Sequence, residues 1–302
     1  MKELLVISGK GGTGKTTIVG AFAGLAKDSF PCETTVLADC DVDAADLHLI
    51  LKPSVRRTNE FFGLKKATID PAKCDNCGEC AKVCRFDAIA MHEESIKIEP
   101  VSCEGCAVCF HICPSQAINM KDVIAGHWFV SDTIYGPLVH AKLGVAEENS
   151  GKLVMEVRRE ARRIAETRGS RLIICDGPPG VGCPVISSMS GVDLALIVTE
   201  PTIAGVHDME RLYTLANGFD VEVVVCINKY DLDYKISRDI REFCRTHDID
   251  MVGRIPFDEE VVKALVKGEP IISPDLTSGK SESPAANATR QLWAEILNRL
   301  SL

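Results

Sequence analysis

Along the chain, short apolar runs alternate with longer stretches of helical character. Leu4-Leu5-Val6-Ile7, Val36-Leu37-Ala38, Leu172-Ile173-Ile174-Cys175, Leu194 to Thr199 and Val221 to Ile227 each have the length and apolar content of a buried strand. A helical stretch opens at Ile18, others separate the later runs, and Leu292, Trp293, Ile296, Leu297 and Leu300 mark one apolar face of a final helix. Strands alternating with helices predict an α/β fold, a mostly parallel sheet flanked by helices. The segment from about Leu64 to Val123 breaks the alternation. The predicted organisation is therefore a discontinuous domain, 1–63 and 124–302, with a small inserted α+β domain at 64–123.

The first strand runs into Ser8-Gly9-Lys10-Gly11-Gly12-Thr13-Gly14-Lys15-Thr16-Thr17, a phosphate loop in its required strand–loop–helix setting. Its glycines let backbone N–H groups face an anion at a helix N-terminus. Lys15 is expected to reach the β- and γ-phosphates and the Thr16 hydroxyl to ligate Mg²⁺. At the next strand ends stand Asp39-Cys40-Asp41-Val42-Asp43 and Asp176-Gly177-Pro178-Pro179-Gly180.

Eight of the fourteen cysteines form two copies of C-x-x-C-x-x-C-x-x-x-C, Cys74/77/80/84 and Cys103/106/109/113, offset by a constant 29 residues. Three thiols at i, i+3 and i+6 plus a more distant fourth suit a cubane iron–sulfur cluster better than the paired knuckles of a zinc site. Pro114 follows the second copy, whereas Arg85 follows the first. A guanidinium near a cluster favours added negative charge and so a raised potential. Cys32, Cys40, Cys175, Cys183, Cys226 and Cys244 lack metal spacing and read as packing residues, with Cys183, just after the Asp176 segment, left unassigned.

Lys10, between the first two glycines, resembles the signature lysine of the MinD/ParA/Mrp and nitrogenase iron-protein ATPases. The whole chain is similar to MinD-superfamily P-loop ATPases carrying an inserted bacterial-type ferredoxin domain. That resemblance implies an ATP-hydrolysing homodimer in which Lys10 contacts phosphate in trans, beside Lys15 and the switch I carboxylate Asp41. It implies nucleotide contacts from Gly9, Lys10, Gly11, Gly12, Thr13, Gly14, Lys15, Thr16 and Thr17, and Mg²⁺ held by Thr16, Asp176 and Asp41. It places the base at Asn228 and Pro256. Asn228-Lys229-Tyr230-Asp231 also spells the guanine-reading string of G-proteins, but the two-lysine loop favours ATP. As in two-cluster ferredoxins, Cys74, Cys77, Cys80 and Cys113 would hold one [4Fe–4S] cluster and Cys84, Cys103, Cys106 and Cys109 the other. The expected activity couples nucleotide-driven dimer switching to electron transfer to a redox partner; the alternative is an ATPase of metallocluster assembly or positioning, with a cluster-client protein and structural clusters.

The formal net charge of −9 argues against nucleic acid as a partner. With 46% hydrophobic and 25% charged residues, no run long enough to span a bilayer and no cleavable leader, a cytoplasmic protein is expected. Few cations mark the polar face of the last helix, so docking on the core is expected rather than membrane binding. Arg158, Arg159, Arg162 and Arg163 alternate with Glu156, Glu160 and Glu166, predicting a solvated helix face. His127 and His140 read as structural, and the stretch 148–152 has no physical assignment.

Overall fold

The computed structural model describes residues 1–30, 35–93, 95–144, 147, 149–273 and 283–302. Cys32 and Glu148 lie outside the described residues. The chain divides into two compact units, one of Met1–Thr58, Trp128–Lys142 and Ser150–Leu302, the other of Asn59–His127 and Leu143–Asn149.

The first unit is built on a sheet whose order is β13-β12-β11-β1-β10-β2-β9-β8-β3. The apolar runs form β1 (Lys2–Ser8), β2 (Thr35–Asp39), β10 (Leu172–Pro179), β11 (Leu194–Thr199) and β12 (Glu222–Asn228), with β13 (Asp250–Ile255) at one edge. All pairings among these six are parallel. Residues of β1, β2, β10 and β11 are almost entirely buried, as continuous apolar strands covered on both faces must be, whereas the edge strand β13 is mostly half-buried or exposed. The sequence pattern does not show the other end of the sheet: β3 (Ser54–Phe62), β8 (Ile124–Thr133) and β9 (Gly136–Leu143), which carry mixed polar and apolar residues. β9 pairs in parallel with β2.

Helix α1 (Lys15–Ser29) begins three residues before the expected Ile18, because Gly14 at φ 94° turns the chain into its first helical residue. Its apolar body packs on the sheet core with α10 (Pro284–Leu300), where the Phe22 and Trp293 rings lie 5.0 Å apart. Leu292, Trp293, Ile296 and Leu300 of α10 are buried in that core. No described helix is long and apolar enough to cross a membrane.

Helix α5 (Ser150–Arg168) corrects the expectation of a wholly solvated arginine face. Arg158 is 5% exposed; its Nε donates to Glu3 Oε1 at 2.8 Å, and Nη1 donates to the carbonyls of Ser187 and Ser190. Arg162 Nε donates to the other Glu3 oxygen at 2.8 Å. Glu3, on the first strand and itself buried, is the partner that a local i,i+4 reading of the helix cannot supply. Only Arg159 and Arg163 keep helix-surface pairs, at i,i+3 with Glu156 and Glu160.

The second unit repeats itself. β4 (Lys66–Ile69), α3 (Glu79–Val83) and β5 (Ile89–His92) are followed, each 29 residues later, by β6 (Ser95–Ile98), α4 (Val108–Ile112) and β7 (Ile118–Lys121). The halves interlock, since β4 pairs antiparallel with β7 and β5 with β6. The left-handed positions repeat as well: Asn76 with Gly105, Gly78 with Ala107, Asp87 with Gln116.

Candidate functional site

In a parallel sheet, ligands bind beyond the carboxyl ends of strands where the chain connections diverge. Here that point is the end of β1, flanked by β10 on one side and β11 on the other. The loop from Gly9 to Gly14 leaves β1 there, tied to the Asp176 segment by a 2.9 Å bond from Gly180 N–H to the Ser8 carbonyl. Asn228 Nδ2, at the end of β12, donates to the Thr13 carbonyl at 2.7 Å. A side chain at position 14 would meet that amide at 2.3 Å, so both the left-handed turn and the close approach require glycine.

Lys15 is buried, with Nζ 4.0 Å from Asp41 Oδ2. Around it converge three carboxylates. Asp39 is fully buried, its oxygens accepting the N–H groups of Asp41 and Leu47 at 3.1 and 3.2 Å. Both oxygens of Asp176 are buried with no hydrogen bond; the Thr16 hydroxyl lies near without closing one of normal geometry. Burial pushes the Asp41 and Asp176 carboxyls up to about 6 each, with Lys15 opposing both rises. Asp39 is likewise raised well above the usual carboxylate range, by burial first and then by the neighbouring Asp176 and Asp41 charges. Unbonded buried carboxylate oxygens beside one lysine fit a hard divalent cation, which takes oxygen ligands. Thr16, Asp176 and Asp41, the residues expected to hold Mg²⁺, could supply such oxygens, with Asp39 beside them, although among the described residues no three acids are gathered around one ion position.

Lys10 is turned onto its own chain. Its Nζ is 2.5 Å from Glu200 Oε1 and 3.4 Å from Thr202 Oγ1, and Lys229 reaches the same carboxylate at 3.3 Å. Although burial works the other way, the two lysines hold the Glu200 carboxyl below its usual range. Lys229 Nζ also donates to the Gly12 carbonyl at 3.3 Å. Glu200, one residue past β11, was not singled out from the sequence; its only local sign is an acid at a strand end. Beside the loop, a cleft of about 230 Å³ is lined by Gly12, Gly14, Thr17, Asn228, Lys229 and Pro256, among others.

In the cysteine unit, Cys80 and Cys109 are buried in a small core with Ala67, Ile89, Ile96 and Ile118, and Cys74, Cys84, Cys103 and Cys113 pack against it. Cys77 and Cys106 are exposed, and all eight are free thiols. Burial pushes the Cys80 and Cys109 thiols up. Cys113 departs from this: burial raises it, but Ser115 and the Ala117 N–H, 3.3 Å from Sγ, outweigh that and lower it. A small cavity is lined by Cys84, Cys103, Cys106 and Cys109 together with mostly apolar residues such as Ala67, Phe86 and Ile89. That set takes one cysteine from the first run and three from the second. Among the described residues, no three His, Cys, Asp or Glu side chains are gathered to hold a single metal ion. Thiols that range from buried Cys109 through half-buried Cys84 and Cys103 to exposed Cys106 are soft donors of the kind that an iron–sulfur group takes.

Residues 4–271 match the family model described as the CobQ/CobB/MinD/ParA nucleotide binding domain. The chain belongs to that family. It is 36% identical over 281 residues to the uncharacterized protein MJ0578 of Methanocaldococcus jannaschii, covering 93% of each. The cell division ATPase MinD of Pyrococcus furiosus shares the family fold, with a TM-score of 0.57, 18% identity and 98% of each chain covered. The septum site-determining protein MinD of Pyrococcus horikoshii, complexed with Mg-ADP, superposes with a TM-score of 0.54 at 18% identity over 98% of this chain and 95% of its own. In this CobQ/CobB/MinD/ParA domain, the β1 loop, the three carboxylates and most of the cleft fall within the matched residues; so does the cysteine unit, for which the family name implies no metal.

Proposed function

We propose that this protein binds and hydrolyses ATP with Mg²⁺, carries two [4Fe–4S] clusters in its cysteine unit, and couples nucleotide-driven switching of a homodimer to electron transfer to a partner protein. The observation that carries the combination is the cavity lined by Cys84, Cys103, Cys106 and Cys109, in a chain that also buries three carboxylates around a phosphate-loop lysine. Mg-ADP bound to the P. horikoshii relative supports Mg-nucleotide as the ligand of the β1 loop.

The chemistry asked of the first unit is electrostatic. Loop N–H groups and Lys15 would neutralise the phosphates, while Asp176 and the Thr16 hydroxyl would hold Mg²⁺, which would supply further positive charge there. Asp41, 4.0 Å from Lys15, would orient water at the γ-phosphate. Lys10 completes a partner's site only after leaving Glu200, so assembly and hydrolysis are linked through one ion pair. Gly180, bonded to the β1 end through Ser8, lets the loop after β10 respond to the γ-phosphate. In the second unit, Cys74, Cys77, Cys80 and Cys113 would hold one cluster and Cys84, Cys103, Cys106 and Cys109 the other. The clusters supply one-electron transfer; the chain supplies thiolates, burial and the Ala117 N–H on Cys113.

Anaerobic purification followed by iron, acid-labile sulfide and zinc analysis tests the cluster half, with about eight irons per chain expected for two cubanes. Zinc in place of iron, or neither, would refute it. Mg²⁺-dependent phosphate release from ATP tests the other half.

A further inference from the structure

The two halves of the cysteine unit share a backbone but not their polar groups. Cys84 and Cys113, the fourth cysteines of the two runs, end α3 and α4 in the same conformation, φ −72° and ψ 112° against φ −68° and ψ 112°. Two residues further on, the side chains differ. Ser115 Oγ lies 3.6 Å from Cys113 Sγ, and the Ala117 N–H donates to the same sulfur at 3.3 Å. The counterpart of Ser115 beside Cys84 is Phe86, which has no hydroxyl and lines the small cavity.

Between a free thiol and a hydroxyl, either atom can donate. A thiolate that ligates iron has no proton to give, so Ser115 is then the donor and Cys113 Sγ the acceptor. An O–H aimed at sulfur stabilises negative charge there, and added negative charge is what one-electron reduction brings. Ser115 is half-buried, so solvent screens its dipole less than it screens the exposed Arg85. Crossed ligation groups Cys113 with Cys74, Cys77 and Cys80, so a hydroxyl in the second run acts on the cluster of the first.

We propose that Ser115, acting through Cys113, sets the two clusters apart: its hydroxyl raises the potential of the cluster held by Cys74, Cys77, Cys80 and Cys113, while Phe86 leaves the other cluster without such a donor. The proposal rests on the cluster reading above and names a residue that distinguishes one cluster from the other.

The test is potentiometry followed by electron paramagnetic resonance on the anaerobically purified full chain, for wild type, Ser115→Ala, Ser115→Thr and Phe86→Ser, with iron analysis of each. Ser115→Ala should lower one potential by the equivalent of about fivefold in its reduction constant, the scale of one hydrogen bond, and leave the other in place. At about 59 mV per tenfold for one electron, that is about 40 mV. Ser115→Thr keeps a hydroxyl and should hold the same constant within about twofold of wild type. Phe86→Ser supplies a hydroxyl at the matching place and should raise the potential that Ser115→Ala leaves unmoved. Two unmoved potentials in Ser115→Ala, with iron retained, overturn the proposal. A shift as large in Ser115→Thr overturns it as well, since packing rather than the hydroxyl would then be the cause. If Ser115→Ala loses iron, Phe86→Ser decides: one raised potential supports the proposal, and two unmoved potentials overturn it. A wild-type chain that binds no iron would refute the cluster reading itself, and the proposal with it.

Discussion

The first unit gathers Asp39, Asp41 and Asp176 around Lys15, whereas the second gathers cysteines around Cys80 and Cys109. Both bury ionisable groups that the protein alone leaves poorly compensated, and in both burial disfavours the charged form. The difference lies in the donor atom. Carboxylate oxygens suit a hard cation that accompanies phosphate, and thiolates suit a soft iron–sulfur group. The routes to the two sites also differ, because unit one assembles its carboxylates from two distant strand ends while unit two assembles its thiols by repeating one motif.

The largest effects should come from removing one donor on each side. Asp176→Asn is expected to lower Mg²⁺-dependent ATP hydrolysis at least about 100-fold. The same change should raise the stability of the metal-free chain at neutral pH by about 1–2 kcal/mol in urea unfolding, since a carboxyl held at about 6 opposes folding once ionised. Lower stability would mean that the carboxylate is compensated after all. Cys109→Ser should cost about half of the roughly eight irons of two cubanes and leave ATP affinity within about twofold; iron retained in full would separate the buried thiols from metal binding.

His140 sharpens the comparison, being a buried titratable group that needs no cation. Its Nε2 lies 3.0 Å from Ser131 Oγ, and burial, then the neighbouring His48, pull it down to about 4 from 6.5. Since the unfolded chain takes up the proton first, this contribution is full above pH 6.5 and is lost as pH falls through about 4. Up to about 3 kcal/mol is involved. Urea midpoints between those pH values should show the loss in wild type and less of it in His140→Phe; equal slopes would contradict it.

The smallest effect concerns the two halves of the cysteine unit. Arg85 is exposed, and its counterpart 29 residues on is Pro114. Arg85→Pro should lower one of two cluster potentials by only tens of millivolts, roughly what a solvent-screened charge supplies. Potentiometry showing both potentials unmoved would refute that role.

The parallel strands were legible because strands buried on both faces must be continuously apolar, and the cysteine repeat was legible because the 29-residue offset appears in the residues themselves. Strands β3, β8 and β9 were not, since their mixed residues carry neither apolar runs nor clean alternation. The Glu3–Arg158 pair joins positions 155 apart and leaves no local trace. Asp39 and Glu200 were visible as acids near strand ends, but their tasks depend on which backbone or lysine the fold brings to them. Lys10 shows the same limit: its residue type suggests phosphate contact in trans, while its position in the single chain is on Glu200.

The central claim is that ATP at Lys15 is felt by clusters held in the other unit. Potentiometric titration of both clusters, with and without MgATP, in wild type and Lys15→Ala, tests it most directly. The account predicts that MgATP shifts at least one potential in wild type and neither in Lys15→Ala. Potentials and electron-transfer rates that are identical in every state would contradict it and leave an ATPase of assembly or positioning with structural clusters.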